Sequence, residues 1–197
     1  MIENERFDFC GQLLGSGHPV FLVAEIGLNH NGDVELAKRM IESAAKNGAD
    51  AVKLQTFVAS ELISKSLLAD DPDHPGNEIP FYEFFQRYEL SREDYKVLIA
   101  YARTLHIPLF STPFDDASLD MLVELEMPAL KIASPDLTYT PFLEKVAEMG
   151  LPVVLSTGMG SMEEIGEALH ALRKANSVIL LHCVSNYPSQ YDEMNLA

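Results

Sequence analysis

From Pro19 onward, short apolar runs alternate with stretches whose apolar residues recur at helical spacing, the pattern of repeated β-α units and a parallel sheet. Residues 20–24 (VFLVA) read as a buried strand ending at Glu25. Residues 34–47 then place Leu36, Met40, Ile41 and Ala44 on one helical face before Gly48 stops the helix. Five further strands are predicted over 51–54, 108–110, 129–132, 153–155 and 177–183, with helices over 92–105, 115–126, 141–149 and 162–174. A lead segment, residues 6–17, reads as a β-hairpin turning near Gly15-Ser16-Gly17 and covering the N-terminal ends of the strands. Residues 56–91 break the rhythm, polar at first (DDPDHPGNE) and then aromatic (FYEFFQRYEL); an insertion of this length is usually functional or disordered.

Polar residues gather just after each apolar run, which predicts an α/β protein with a (β/α)8 TIM-type barrel rather than an open doubly wound sheet. No G-x-G-x-x-G follows a strand, so a dinucleotide fingerprint is missing. About six β-α units do not close an eight-stranded barrel, and the expectation is a truncated one: residues 1–18 as a hairpin cap and residues 19–197 as a partial barrel, incomplete or in need of a partner.

The chain has 197 residues, 47% of them hydrophobic, enough for a substantial core. Its 30 acidic and 14 basic residues give a formal charge of -16, which argues against nucleic-acid binding and makes any anion site depend on a few local lysines and backbone N–H groups. Cys10 and Cys183 match no metal spacing or disulfide framework, and a reducing cytoplasm is the plain reading. The polar start resembles no signal peptide, and no apolar run is long enough to cross a bilayer.

Barrel enzymes carry their chemistry where strands run into the following loops. The residues at those positions are Glu25; Lys53 and Gln55; Ser111 and Thr112; Lys131 and Ser134; Ser156 and Thr157; and Ser185, Asn186 and Tyr187. Lys53 and Lys131 each stand between apolar neighbours on strands expected to be buried, where a lysine is costly unless an anion or an internal partner such as Glu25 meets it. Two lysines converging with several hydroxyls have the makeup of a phosphate and carboxylate cradle. Asn31-Gly32 reads as a tight turn, and Ser161 with Glu164 as a capping box. His30 reads as a hydrogen-bonding group more readily than a metal ligand, His182 as a core residue or one supporting the site from behind, and Tyr82, Phe84, Phe85 and Tyr88 as packing residues.

The segments AEIGLNHNG, ADAVKLQTF, FSTPFD, LKIAS, LSTGMGSMEEI and LLHCVSNYP, in this order at six successive strands, resemble the N-acetylneuraminate (sialic acid) synthase family and its relatives that make legionaminic, pseudaminic and spore-coat sugars. The resemblance implies condensation of phosphoenolpyruvate with an N-acetylmannosamine-type aldose to a nine-carbon 2-keto acid and phosphate. By the same resemblance Lys53, Thr112, Lys131, Ser134, Ser156, Ser185 and Asn186 contact phosphoenolpyruvate, while Glu25, Gln55, Asn77 and Tyr187 face the sugar. Glu25, Lys53 and Lys131 are the catalytic candidates. It further implies a divalent metal, manganese or magnesium, in the complete enzyme, and a homodimer in which an antifreeze-like domain completes a neighbour's site. The family's metal-binding histidines and that domain lie outside the matched stretch, so the 197-residue chain is expected to hold no tight metal site and to be inactive alone. Many sialic acid synthases have Ser-Gly-Glu after strand four; Ser134-Pro135-Asp136 here shortens the carboxylate and stiffens the turn, leaving the sugar open. Alternatives are a related synthase acting on a phosphorylated aldose, or a partial barrel that binds ligand without turnover.

Overall fold

The computed structural model describes residues 7–70, 74, 76–186 and 188–196. Six parallel strands form its main sheet: β3 (Val23–Gly27), β4 (Ala51–Thr56), β7 (Leu109–Pro113), β8 (Leu130–Ile132), β9 (Pro152–Ser156) and β10 (Ser177–Leu181), in the order β10-β9-β8-β7-β4-β3. Two short strands, β1 (Phe7–Phe9) and β2 (Gln12–Leu14), precede them as an antiparallel hairpin. The crossovers are α1 (Val34–Lys46), α4 (Arg92–Thr104), α5 (Asp116–Glu124), α6 (Thr140–Glu148) and α7 (Met162–Ala171).

Alternation decides which side of the sheet meets the helices. Ile26, Val52, Leu54, Leu109, Leu130, Ile132, Val153 and Leu155 point one way, into a core completed by Ala37 and Ile41 of α1, Leu98 of α4, Leu119 of α5, Leu143 of α6 and Ala168 of α7. Ala37, fully buried, is the residue of α1 that the periodicity reading passed over. A doubly wound sheet would carry helices on both faces; here the other face holds a second cluster of Phe9, Ala51, Phe110, Ala129 and Val154, into which the hairpin drops its phenylalanine. The Phe9 ring meets Phe21 and Phe110 edge-on at 5.4 and 5.7 Å. The outer strands β3 and β10 are not hydrogen-bonded to each other.

Three boundaries differ from the sequence expectation. The hairpin turns at Cys10-Gly11, both at positive φ (54° and 84°), a two-residue connection whose twist suits the flanking strands, and not at Gly15–Gly17. The first barrel-type strand begins at Val23 because Val20, 80% exposed, and Leu22 lie outside the ladder, where Asp50 accepts the Leu22 N–H at 2.7 Å. The last strand ends at Leu181, so His182 and Cys183 fall in the loop beyond it.

The insertion is folded. It contains α2 (Ala59–Leu62), an antiparallel pair β5 (Leu68–Asp70) and β6 (Glu78–Pro80), and α3 (Phe81–Gln86). Its aromatic residues pack on one another: Phe85 meets Phe57, Phe81 and Phe84 with centroids 5.0–5.5 Å apart, and Phe84 meets Tyr88 at 4.9 Å. The Val58 N–H donates to Asp115 at the start of α5, fixing the insertion to the barrel-type sheet, and the Ala59 N–H donates to Glu89, joining the insertion's two ends at its base. At Gly32, a Cβ would lie 2.2 Å from the Arg87 carbonyl oxygen, so this turn glycine admits the backbone at the insertion's far end.

Candidate active site

Two residues further along each strand, the helix-free face changes character. Ala51 is followed inward by Lys53 and Gln55, Phe110 by Thr112, Ala129 by Lys131, and Val154 by Ser156. These residues line a cavity of about 810 Å³ with Glu25 of β3, Ser134 and Pro135 after β8, Met159 after β9, and Cys183, Val184 and Ser185 after β10; Phe9, Leu14 and Phe21 form its apolar floor.

Lys53 and Lys131 therefore share one pocket at the C-terminal ends of the strands. The Lys53 ammonium pairs with the Glu25 carboxylate and donates to Thr112 Oγ1 at 3.2 Å. The internal ion pair with Glu25 therefore occupies the same Lys53 ammonium that the cradle reading assigns to an anion. Lys131, 7% exposed, donates to Ser156 Oγ at 2.5 Å and to the Ile132 carbonyl at 2.6 Å. Burial, then the charge of Lys53, pushes its pKa down to about 8, with Cys183, Glu25 and Asp136 pulling the other way. At neutral pH it remains a cation in a place that disfavours one, which is a standing attraction for an anion.

Around this pair the polar groups divide into two clusters, each over a glycine. Ser134 Oγ accepts from the Gly158 N–H at 3.0 Å, and a Cβ on Gly158 would come within 2.4 Å of Ser185 Oγ and 2.8 Å of Ser134 Oγ. On the other side, a Cβ on Gly27 would lie 3.1 Å from Glu25 Oε1 and 3.5 Å from Gln55 Nε2. Gly27 has φ of 55° and sits where the β3–β4 register shifts after the Glu25–Lys53 pair. The chemistry on offer is a lysine pair and hydroxyl donors for an anion, with a carboxylate and a carboxamide beside them for a hydroxylated partner.

Not every candidate reaches the cavity. Asn77 is exposed in the insertion, its N–H bonded to the His74 carbonyl, and Asn186 turns its carboxamide to Glu193 at 2.9 and 3.0 Å; neither lines the pocket. Tyr187 lies outside the described residues. His182 is exposed, with Nε2 2.7 Å from the Met194 carbonyl, because the strand ends before it and it is not a core residue. His30 is fully buried: Nδ1 accepts from the Gly32 N–H, Nε2 has no hydrogen-bond partner, and burial lowers its pKa. Among the described residues no three His, Cys, Asp or Glu side chains converge to hold a metal.

Sequence reasoning named the Ser134-Pro135-Asp136 turn without assigning Asp136 a part in the site. Its Oδ2 is buried without a hydrogen-bond partner, and burial raises its pKa against the pull of Lys131. Cys183, placed at the end of the last strand by the sequence reading, lines the cavity instead, because that strand ends two residues earlier; Gly158 lies beside the lining residues Ser134 and Ser185.

The chain is 39% identical over 192 residues to an N,N'-diacetyllegionaminic acid synthase of Legionella pneumophila and 35% identical over 194 residues to the mouse N-acetylneuraminate-9-phosphate synthase. Those alignments take in 92% and 97% of this chain, which spans about half the length of the curated relatives it matches, 53% and 54% here. A crystal structure of an N-acetylneuraminic acid synthetase from Leptospira borgpetersenii superposes with a TM-score of 0.86 at 35% identity over 98% of this chain and 64% of that one. A DAHP synthase from Thermotoga maritima, at 14% identity and a TM-score of 0.66, shares the fold alone. Residues 40–197 match the NeuB family, and with that match added to the strand-end lysines and hydroxyls, the chain belongs to the NeuB family.

Proposed function

We propose that this chain supplies the phosphoenolpyruvate-binding part of a synthase that condenses phosphoenolpyruvate with an N-acetylmannosamine-type aldose, giving a nine-carbon 2-keto sugar acid and phosphate. The observation that carries this is the placement of Lys53 and Lys131 on one inward face, in one cavity, with Thr112, Ser134, Ser156 and Ser185 around them. Phosphoenolpyruvate brings a phosphate and a carboxylate, and two ammonium groups with directional hydroxyls answer both.

The enol carbon attacks an aldehyde carbonyl, water adds to the resulting oxocarbenium-like carbon, and phosphate departs with the C–O bond broken; the lysines stabilise the negative charge that gathers on the leaving group. Glu25 and Gln55, together over Gly27, stand on the sugar side, where the Glu25 carboxylate accepts a hydroxyl proton or hydrogen bond. Asn77 and Asn186 join these contacts only after rearrangement of the insertion and of the segment after β10, and Tyr187 belongs to the sugar side by family resemblance alone. Among the described residues that line the cavity, Lys53 and Lys131 are the cations, and Lys53 is already paired with Glu25, which leaves little positive charge for a second phosphate and favours an unphosphorylated aldose. A closed eight-stranded barrel, a divalent metal (manganese or magnesium) with ligands from elsewhere, a homodimer and a cytoplasmic setting belong to this reading for the complete protein.

Calorimetric titration of the purified chain with phosphoenolpyruvate, with and without manganese, alongside a phosphate-release assay with N-acetylmannosamine, tests it. Binding without turnover by the chain, and turnover by the complete protein, is the expected outcome. Absence of phosphoenolpyruvate binding, or binding unaffected by Lys131→Ala, overturns the assignment.

A further inference from the structure

We propose that Gly158 is a positioning residue for the anion half of the site, present for the space it leaves and not for backbone freedom; the proposal rests on the phosphoenolpyruvate reading above. The φ of Gly158 lies outside the left-handed region, unlike that of its neighbour Met159 at 64°, so an alanine could adopt its backbone conformation. What excludes a side chain is contact: the added Cβ would lie 2.4 Å from Ser185 Oγ, 2.8 Å from Ser134 Oγ and 3.3 Å from Ser134 Cβ. Both hydroxyls come from cavity-lining residues on different loops, one after β8 and one after β10, and they meet at this one position.

Gly160, two residues on, shows what a packing glycine looks like in the same turn. Its Cβ would collide with Leu137 Cδ2 at 2.2 Å, an apolar contact away from the hydroxyls. Gly158 does more than make room. Its N–H donates to Ser134 Oγ at 3.0 Å and so occupies an acceptor site on that oxygen, leaving the Ser134 O–H proton free to point at a bound anion. The turn that presents this N–H is tied across the sheet by Thr157, whose Oγ1 donates to the Leu181 carbonyl of β10 at 2.7 Å. Ser134 and Ser185 thus act as a matched pair of donors because the backbone between them carries no side chain.

The test compares phosphoenolpyruvate affinity by calorimetry in four forms of the purified protein: wild type, Gly158→Ala, Ser185→Gly, and the double variant. Gly166→Ala, whose Cβ meets nothing within 4 Å, serves as the control, and thermal unfolding is followed for all. The expected result is at least a tenfold loss of affinity in Gly158→Ala, a smaller loss when the same change is made in the Ser185→Gly background, where only the 2.8 Å approach to Ser134 Oγ remains, and no loss in Gly166→Ala. A purely structural glycine would lower the melting temperature equally in both backgrounds and leave the affinity ratio alike. Equal affinity losses in the two backgrounds, or none in wild type, overturn the proposal while leaving the phosphoenolpyruvate assignment standing. If Gly158→Ala fails to fold, a tenfold or greater loss from Gly158→Ala within the Ser185→Gly background also overturns it. A wild-type protein that does not bind phosphoenolpyruvate removes the assignment and this inference together.

Discussion

The two ends of one sheet face are built from the same strands, yet they differ in almost every respect. At the N-terminal end Ala51, Phe110, Ala129 and Val154 close on Phe9 of the hairpin and exclude water; one inward step along, Lys53, Thr112, Lys131 and Ser156 face an open cavity. A single pleat separates packing from chemistry. The difference shows how such a sheet tolerates two inward-facing lysines, one of them buried: the apolar end and the helix-packed face hold the strands in place, so the polar end needs no tight packing of its own.

Truncation at the apolar end is the severest way to break this division. Phe110→Ala is expected to lower unfolding stability by roughly 3–5 kcal/mol, read from urea denaturation, since it empties a site filled by Phe9 and Phe110 in edge contact. An unchanged midpoint would show that the hairpin end contributes little.

At the polar end the sign reverses, because a charge is held where burial opposes it. Lys131 keeps a folded pKa of about 8 against roughly 10.4 in an unfolded chain, so between those pH values the unfolded chain holds a proton that the folded one has released. Folding therefore becomes more favourable as pH rises through that window, and the cost of the buried charge, on the order of 3 kcal/mol, is fully present only below it. The stability advantage of Lys131→Met over wild type should shrink as pH goes from 8 to 10. A difference constant with pH would mean that Lys131 is not held as a disfavoured cation.

The same residue gives the next largest effect, now on binding. Lys131→Ala is expected to weaken phosphoenolpyruvate by roughly 1.5–3 kcal/mol, with a smaller change for the sugar, because only the anion loses a charged partner. Equal losses for both ligands, measured by competition binding, would erase the boundary between the two clusters.

The smallest effect lies on the helix side of the same strands. Tyr95 donates to the Gln55 carbonyl at 2.9 Å, and Thr56 Oγ1 stands 2.6 Å from both Tyr95 Oη and Ser111 Oγ. Tyr95→Phe should cost about 1–2 kcal/mol of stability and leave anion affinity unchanged. A drop in affinity would place this hydroxyl chain in the working site after all.

Much of this division could be read from the chain alone. Lys53 between Val52 and Leu54, and Lys131 between Leu130 and Ile132, put each lysine out of phase with its helix-facing neighbours, and period-two alternation then assigns both to the opposite face. The Ser161–Glu164 capping box was legible for a similar reason, being decided within four residues. What escaped depends on partners distant in sequence. Val20 and Leu22 are apolar but outside the ladder, and nothing in their own composition says that Asp50 holds the backbone there. Cys10 in a left-handed turn is a choice that the glycines at 15 and 17 outweighed on propensity. The pairing of Asn186 with Glu193, and the collision that reserves position 158 for glycine, exist only once separate loops have met.

The way the insertion is fastened also bears on how sequences of this kind can change. Glu89 and Asp115 secure its entry strand end, and Gly32 admits its exit, so the β5–β6 pair hangs from a closed neck. A longer loop within the insertion adds only the slow logarithmic cost of closure, about 0.6 kcal/mol per doubling, without moving the strands that carry Lys53 and Thr112. Variation in length is therefore cheap in such a loop and costly at the neck, and lineages can trial new outer loops there while the lysine pair stays where it is.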